Sequence, residues 1–278
     1  MKPKLGSEII RRIGYGAMRL PGIGKTPEDT QLACRVLQEA VDLGANVIDT
    51  AHFYGNGLAN KLIADTLRPF PQKLIILTKV GVQSGPDGRP QPAATPEEIQ
   101  QTVQNNLDSL GVSQLNLVFL RLPGGPLADS GVPMHESLEC LAQLQEAGII
   151  RHIGLSSASV EQITSAQAIV SVEAVQNALF VGHYESRGVV QLCHEERIPF
   201  FAYFPLGMGM LIEKKVDLSP FAEAHGATKA QIALAWLLAL SPMVVPIPGT
   251  SGIDHLRENF AALDIELSSS EVEVLSKI

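Results

Sequence analysis

Short apolar runs and stretches of helical spacing alternate along this chain, and that rhythm constrains the fold more than any other feature. The runs fall at residues 12–17, 46–48, 74–78, 115–120, 152–155, 174–176, 199–203 and 243–247. Most are continuous rather than alternating in polarity, as strands are when a parallel sheet buries both of their faces. Parallel neighbours need a long crossover. Residues 27–43 supply the first, with Leu32, Val36, Leu37, Ala40 and Val41 at helical spacing and Gly44 as the C-terminal cap. Further helices are predicted over 58–67, from Thr95-Pro96-Glu97-Glu98 onward, and over 136–147, 159–169, 185–193, 228–240, 253–262 and 269–278. Residues 81–94, rich in Gly, Pro and Gln, read as a loop.

Two parallel architectures fit this rhythm, the doubly wound sheet and the closed barrel. Gly14, Gly16, Gly22 and Gly24 around the first strand lack the Gly-x-Gly-x-x-Gly spacing of a dinucleotide-binding sheet. No linker or composition break divides the chain. The expectation is an α/β protein with a (β/α)8 TIM barrel in a single domain over residues 1–278.

Composition narrows the function. With 21 Lys and Arg against 29 Asp and Glu, the net charge is -8, which argues against a nucleic-acid surface. Cys34, Cys140 and Cys193 lie in apolar contexts without metal or redox spacing, so they read as buried thiols and no metal is expected. Residues 1–6 lack an apolar signal core, and no apolar run reaches the ~18 residues of a membrane span, so a cytoplasmic location is expected.

Barrel enzymes place their chemistry at the C-terminal ends of the strands. The ends here carry Gly16-Ala17-Met18, Asp49, Lys79, Arg121, Ser156-Ser157, Gln176, Tyr203 to Gly207, and Pro248 to Ser251. Tyr54 follows Asp49 on the next loop. A phenol is too weak an acid to protonate a developing alkoxide near neutral pH; a nearby ammonium lowers its pKa, and a carboxylate keeps that ammonium charged and oriented. Asp49, Tyr54 and Lys79 together are therefore the equipment for carbonyl reduction, with Tyr54 as general acid.

The stretch Asp49-Thr50-Ala51-His52-Phe53-Tyr54-Gly55, the strand-end Lys79, then Ile247-Pro248-Gly249-Thr250-Ser251 and His255-Leu256-Arg257-Glu258-Asn259 follow in that order. In this the chain resembles the aldo-keto reductase superfamily over almost its whole length, and most of all its bacterial pyridoxal reductase-like members. The resemblance implies an NAD(P)H-dependent reductase of aldehydes or ketones, pyridoxal among them, with a small-molecule carbonyl as partner. It implies that Ser156 and Gln176 hydrogen-bond the nicotinamide carboxamide, with Ser157 where the family often has Asn. Tyr203 would stack on the nicotinamide ring, and Phe204, Pro205, Leu206 and Gly207 would cover the pyrophosphate. Gly16, Ala17, Met18 and Asp49 would complete the cofactor floor. Pro248, Gly249, Thr250, Ser251, His255, Glu258 and Asn259 would form the adenosine-phosphate end, where exposed helix amides favour a phosphate.

The chain departs from the family pattern in two places. Arg121 stands where the family's fourth catalytic residue is usually His. An always-charged fork of donors there either stabilises the developing oxyanion and depresses the Tyr54 pKa or pairs with Asp49. At the adenosine phosphate, some relatives have Arg or Lys where Gly249 and His255 stand, so recognition of a 2′-phosphate falls to His255 and Arg257; NADPH is expected, with NADH possible. Two other classes remain open, a nucleotide-binding regulatory or sensing protein with weak turnover and a sugar-phosphate isomerase or aldolase using a Schiff-base lysine. The loop at 122–131 is the expected wall of the substrate pocket, His52 beside the motif is read as a surface histidine or one packed behind the reacting groups, and nothing in the sequence sets the oligomeric state.

Overall fold

The computed structural model describes residues 1–22, 25–124, 130–183, 185–209 and 216–278. Eight parallel strands follow one another around the sheet in chain order: β3 (Tyr15–Gly16), β4 (Val47–Asp49), β5 (Ile75–Ser84), β7 (Leu115–Arg121), β8 (Ile150–Ser156), β9 (Ala174–Ala178), β10 (Phe200–Tyr203) and β11 (Val244–Pro246). The ends of the sheet then meet. The amides of Gly14 and Gly16 donate to Pro246 O at 3.0 Å and Pro248 O at 3.1 Å, which closes the barrel. Glycine is needed at this seam, because a Cβ on Gly16 would lie 2.6 Å from the Ile247 carbonyl oxygen.

Alternate strand residues build two shells. Val47, Ile75, Leu77, Leu117, Phe119, Phe201 and Val245 fill the barrel, while Ile48, Ile76, Val118, Leu155, Val175 and Phe200 pack outward against the helices. A short antiparallel hairpin, β1 (Lys4–Leu5) and β2 (Glu8–Ile9), covers the N-terminal mouth and adds Leu5, with Ile10 just beyond it, to the inner core. The outer layer is α1 (Pro27–Asp42), α2 (Leu58–Leu67), α3 (Pro96–Leu110), α4 (Met134–Glu146), α5 (Val160–Gln167), α6 (Arg187–Glu196), α7 (Ser219–His225), α8 (Lys229–Leu240), α9 (Ile253–Ala261) and α10 (Ser269–Leu275). Capping boxes at Thr26, Thr95, Ser159, Thr228 and Ser268 start five of them.

The main difference from the sequence reading lies after Lys79. β5 does not stop there; it runs on to Ser84 and pairs with antiparallel β6 (Pro90–Ala93), inside what reads as a loop. Pro90 and Pro92 lack amide hydrogens, but β6 has a single partner and an edge strand tolerates them. The sequence reading also misses the N-terminal hairpin and α7, and starts α6 two residues early. Residues 125–129 of the expected substrate-pocket wall lie outside the described residues. Among the described residues no helix is long and apolar enough to cross a membrane, and no cluster of His, Cys, Asp and Glu is arranged to hold a metal ion.

Candidate active site

Strand alternation turns the last inward residue of each strand toward one rim of the barrel. Gly16 pairs in register with Asp49, and Arg121 with Ser156, which pairs in turn with Gln176. Lys79 donates to Asp49 Oδ1 at 2.6 Å and to the Thr50 carbonyl oxygen at 3.1 Å. Gln176 Nε2 donates to the same Asp49 oxygen at 2.7 Å. Both partners of the ion pair are only 5% exposed. Such a pair survives burial when its donors and acceptors find further partners, and here the Thr50 carbonyl just after β4 and the Gln176 amide on β9 supply them.

Tyr54 reaches the pair from the loop between β4 and α2. Its amide donates to Ala51 O at 3.0 Å, and Asn56, Gly55 and Gly57 take left-handed backbone to turn the chain back into the helix. Ser84, at the end of β5, donates to Phe53 O at 3.1 Å and ties this loop to the strand that carries Lys79. Lys79 Nζ sits 5.0 Å from the centre of the Tyr54 ring. The expected fall of the Tyr54 pKa through Lys79 is not what this geometry produces. Burial first, and then the Asp49 charge, push the phenol well above its usual value. The group that pulls it down is Arg121. Lys79 is already neutralised at contact distance by Asp49, and its own pKa is lowered by burial.

Arg121 is not paired with Asp49, whose contacted oxygen is taken by Lys79 and Gln176. Among the described residues no carboxylate stands within ion-pair distance of it, and its Nη1 is buried without a hydrogen-bond partner. The guanidinium lies 5.6 Å from the centre of the Tyr203 ring. His52 turns away, packing against Gly57.

A cavity of about 280 Å³ runs from Asp49 and Tyr54 past Tyr203, Phe204, Pro205 and Leu206 to Gly16, Met18, Pro248 and Gly249. The expected residues at its two ends are thus brought together. Ser156 and Gln176 are different: both are fully enclosed beneath the rim, their side chains directed at each other and at Asp49. Ser157, in left-handed backbone, shares a 2.8 Å hydrogen bond with the Tyr203 hydroxyl. Phe204 and Gly207 are also left-handed, which bends the chain sharply after β10. Ala17 is fully buried beside the cavity.

At the far end, Thr250 and Ser251 precede α9, whose N-cap Gly252 supplies no side-chain cap. His255 is mostly exposed and its Nδ1 lies 3.2 Å from Glu258, which also accepts from Thr228. Asn259 is buried. Arg257 is held at 2.7 Å by Glu39 of α1, a contact no sequence spacing foretells. Two further residues escape the sequence reading. Arg19, exposed and directly after Met18, lines the cavity beside Gly249. Asn177 clamps the segment after β8, accepting from Ala158 N at 3.0 Å and donating to Ala158 O at 2.8 Å. A polar residue directly after Gln176 in a buried strand was its only signal.

The C-terminal rim of this closed parallel barrel thus brings a carboxylate, an ammonium and a phenol together beside one cavity. The chain belongs to the aldo/keto reductase family, whose family model matches residues 12–278. Members are NAD(P)H-dependent oxidoreductases. It is 39% identical over 280 residues to a pyridoxine 4-dehydrogenase of Escherichia coli, covering 99% of this chain and 96% of that one. An uncharacterised oxidoreductase of Schizosaccharomyces pombe is 35% identical, covering 99% of this chain and 88% of the other. Among solved structures, a thermostable aldo-keto reductase in complex with the inhibitor epalrestat superposes with a TM-score of 0.85 at 29% identity, over 100% of this chain and 99% of that one. An aldo/keto reductase from Klebsiella pneumoniae in complex with NADP and acetate gives 0.82 at 25% identity, over 98% and 93%.

Proposed function

We propose that this oxidoreductase reduces an aldehyde or ketone to the alcohol with NADPH, Tyr54 giving the proton. The observation that carries this reading is the meeting of Tyr54, the Asp49–Lys79 pair and an unpartnered Arg121 nitrogen at one rim of the barrel. Burial keeps the Tyr54 phenol protonated, so it is available as a donor. Arg121 offers its free N–H to the oxygen on which negative charge develops, and its charge favours release of the phenol proton. The Asp49–Lys79 pair holds a donor beside the phenol without adding net charge.

The cavity suits a nicotinamide dinucleotide. An aromatic face, Tyr203, stands at the reacting end, and Gly249 with the uncapped start of α9 stands at the other, where helix amides attract phosphate. Arg19 supplies positive charge near that end, with the His255 ring and the Thr250 and Ser251 hydroxyls as further polar groups. When bound, NADPH supplies the hydride. NADH, lacking the 2′-phosphate, is the weaker cofactor on this reading. The relative named a pyridoxine 4-dehydrogenase makes pyridoxal the first substrate to try, with other small or aromatic aldehydes beside it.

Replacement of Tyr54 tests the assignment. Tyr54→Phe should lose about 10²–10⁴-fold in turnover with pyridoxal or another accepted aldehyde while NADPH still binds, because the proton is needed only as the alkoxide forms. NADPH consumption and NADPH fluorescence titration measure the two quantities. A Tyr54→Phe protein with most of the native turnover would remove Tyr54 as the acid, and a native protein that binds NADPH without reducing any carbonyl would favour a nucleotide-sensing role.

A further inference from the structure

Behind the rim, on the outer face of the sheet, lies a chain of buried side-chain hydrogen bonds that the proposed chemistry does not use. Thr50 follows Asp49 and Thr78 precedes Lys79, so both hydroxyls point outward where the ion-paired side chains point inward. Thr50 Oγ1 donates to Asn60 Oδ1 at 2.7 Å. Asn60 Nδ2 donates to Asn106 Oδ1 and to Ser109 Oγ, each at 2.9 Å. Thr78 Oγ1 donates to the same Asn106 oxygen at 2.6 Å, and Asn106 Nδ2 donates to the Thr102 carbonyl oxygen at 2.8 Å. Thr50, Thr78, Asn60 and Asn106 are all 0% exposed.

This arrangement costs more than an apolar contact would, since each amide and hydroxyl gives up water. It yields direction. Every donor in the chain has an assigned acceptor, so neither asparagine can flip without losing a bond. The two threonines bind different asparagines, and the asparagines sit on α2 and α3 and bind each other. β4 and β5 are therefore referenced to one rigid point at the positions beside Asp49 and Lys79. Asn60 also lies in the first turn of the helix that follows the Tyr54 loop, so the same point fixes that loop.

We infer that Asn60 and Asn106, reached through the Thr50 and Thr78 hydroxyls, are positioning residues that set the contact between Asp49 and Lys79 and the place of Tyr54 beside them. The inference rests on the carbonyl-reductase reading for its kinetic consequence, but its geometric consequence does not need turnover. Misplacing reacting groups by about 1 Å costs on the order of 10²-fold in rate.

The test is the double substitution Thr50→Val with Thr78→Val, which keeps shape and removes only the two hydroxyls, compared with Thr50→Ser with Thr78→Ser, which restores them. The valine protein should melt cooperatively, bind NADPH with unchanged affinity and lose about 10-fold to 10²-fold in kcat, and the serine protein should recover most of that rate. Crystal structures of both proteins read the Lys79–Asp49 distance whether or not any carbonyl is reduced. Lengthening beyond the native 2.6 Å in the valine protein alone is the expected result. An unchanged distance, or a valine protein with native kcat, overturns the inference. Absence of carbonyl reduction in the native protein would instead count against the functional reading, and the distances would still decide this one.

Discussion

At the scale of single residues, Arg121 separates this site from one with a neutral histidine at the same strand end. Its charge lowers the Tyr54 pKa, which burial and Asp49 raise. Removing it as Arg121→Met should leave the phenol harder to ionise, so the alkaline limb of the kcat profile should move to higher pH. Turnover should fall as well, by about 10²–10³-fold if its free nitrogen serves the oxyanion. Arg121→His should recover part of the rate. Rate profiles and thermal melts of the same preparations check this, and native turnover in a folded Arg121→Met protein would exclude the role. The strand ends at Asp49 and Arg121 and the loop position of Tyr54 were legible in the sequence, whereas the run of β5 past Lys79 was not. The direction of the Tyr54 shift was not, because burial depends on every neighbour that closes over the rim. The bond between Arg257 and Glu39 was equally hidden, since it joins two helices that meet only after the barrel closes.

At the scale of elements, α10 shows how a cap becomes a pH-dependent fastening. Ser268 donates to Glu271, and His225 at the end of α7 lies 2.8 Å from the same carboxylate. These contacts lower the Glu271 pKa from 4.5 to about 2, the Ser268 hydrogen bonds contributing most. The folded pKa lies below the unfolded one, so the stabilisation is present above pH 4.5 and is lost as pH falls toward 2. Glu271→Gln should melt below the native protein at neutral pH, with the difference shrinking through that window. Thermal melts from pH 6 to pH 2 test it; a constant difference would mean that the cap and not the charge matters. The N-caps at Thr95 and Ser159 were readable from the sequence, and the reciprocal bonds from Glu98 and Gln162 complete them as capping boxes. The β5–β6 hairpin was not, because two of its residues are prolines and only pairing with a neighbouring strand makes them a strand.

At the scale of the whole molecule, the eight-strand order was visible because most of the strands are buried on both faces and read as nearly continuous apolar runs. The N-terminal hairpin was not, since its strands are two residues each and carry no period. The seam is tightly packed. Gly16→Ala would push a methyl to 2.6 Å from the Ile247 carbonyl, so it should destabilise the protein by about 1–3 kcal/mol. Gly22→Ala, which meets nothing within 4 Å, is the matched control. Denaturant midpoints of the two proteins check the difference, and equal midpoints would show that the seam yields without cost. The seam also orders events in time. Arg12 donates to Val244 O, 232 residues further along the chain. Contacts of such separation wait for the intervening chain. During synthesis the barrel therefore stays open until its last strand has emerged, with β3 unpaired on one side. Any sheet formed before then has an open parallel edge, the kind of edge that pairs with another chain unless something shields it.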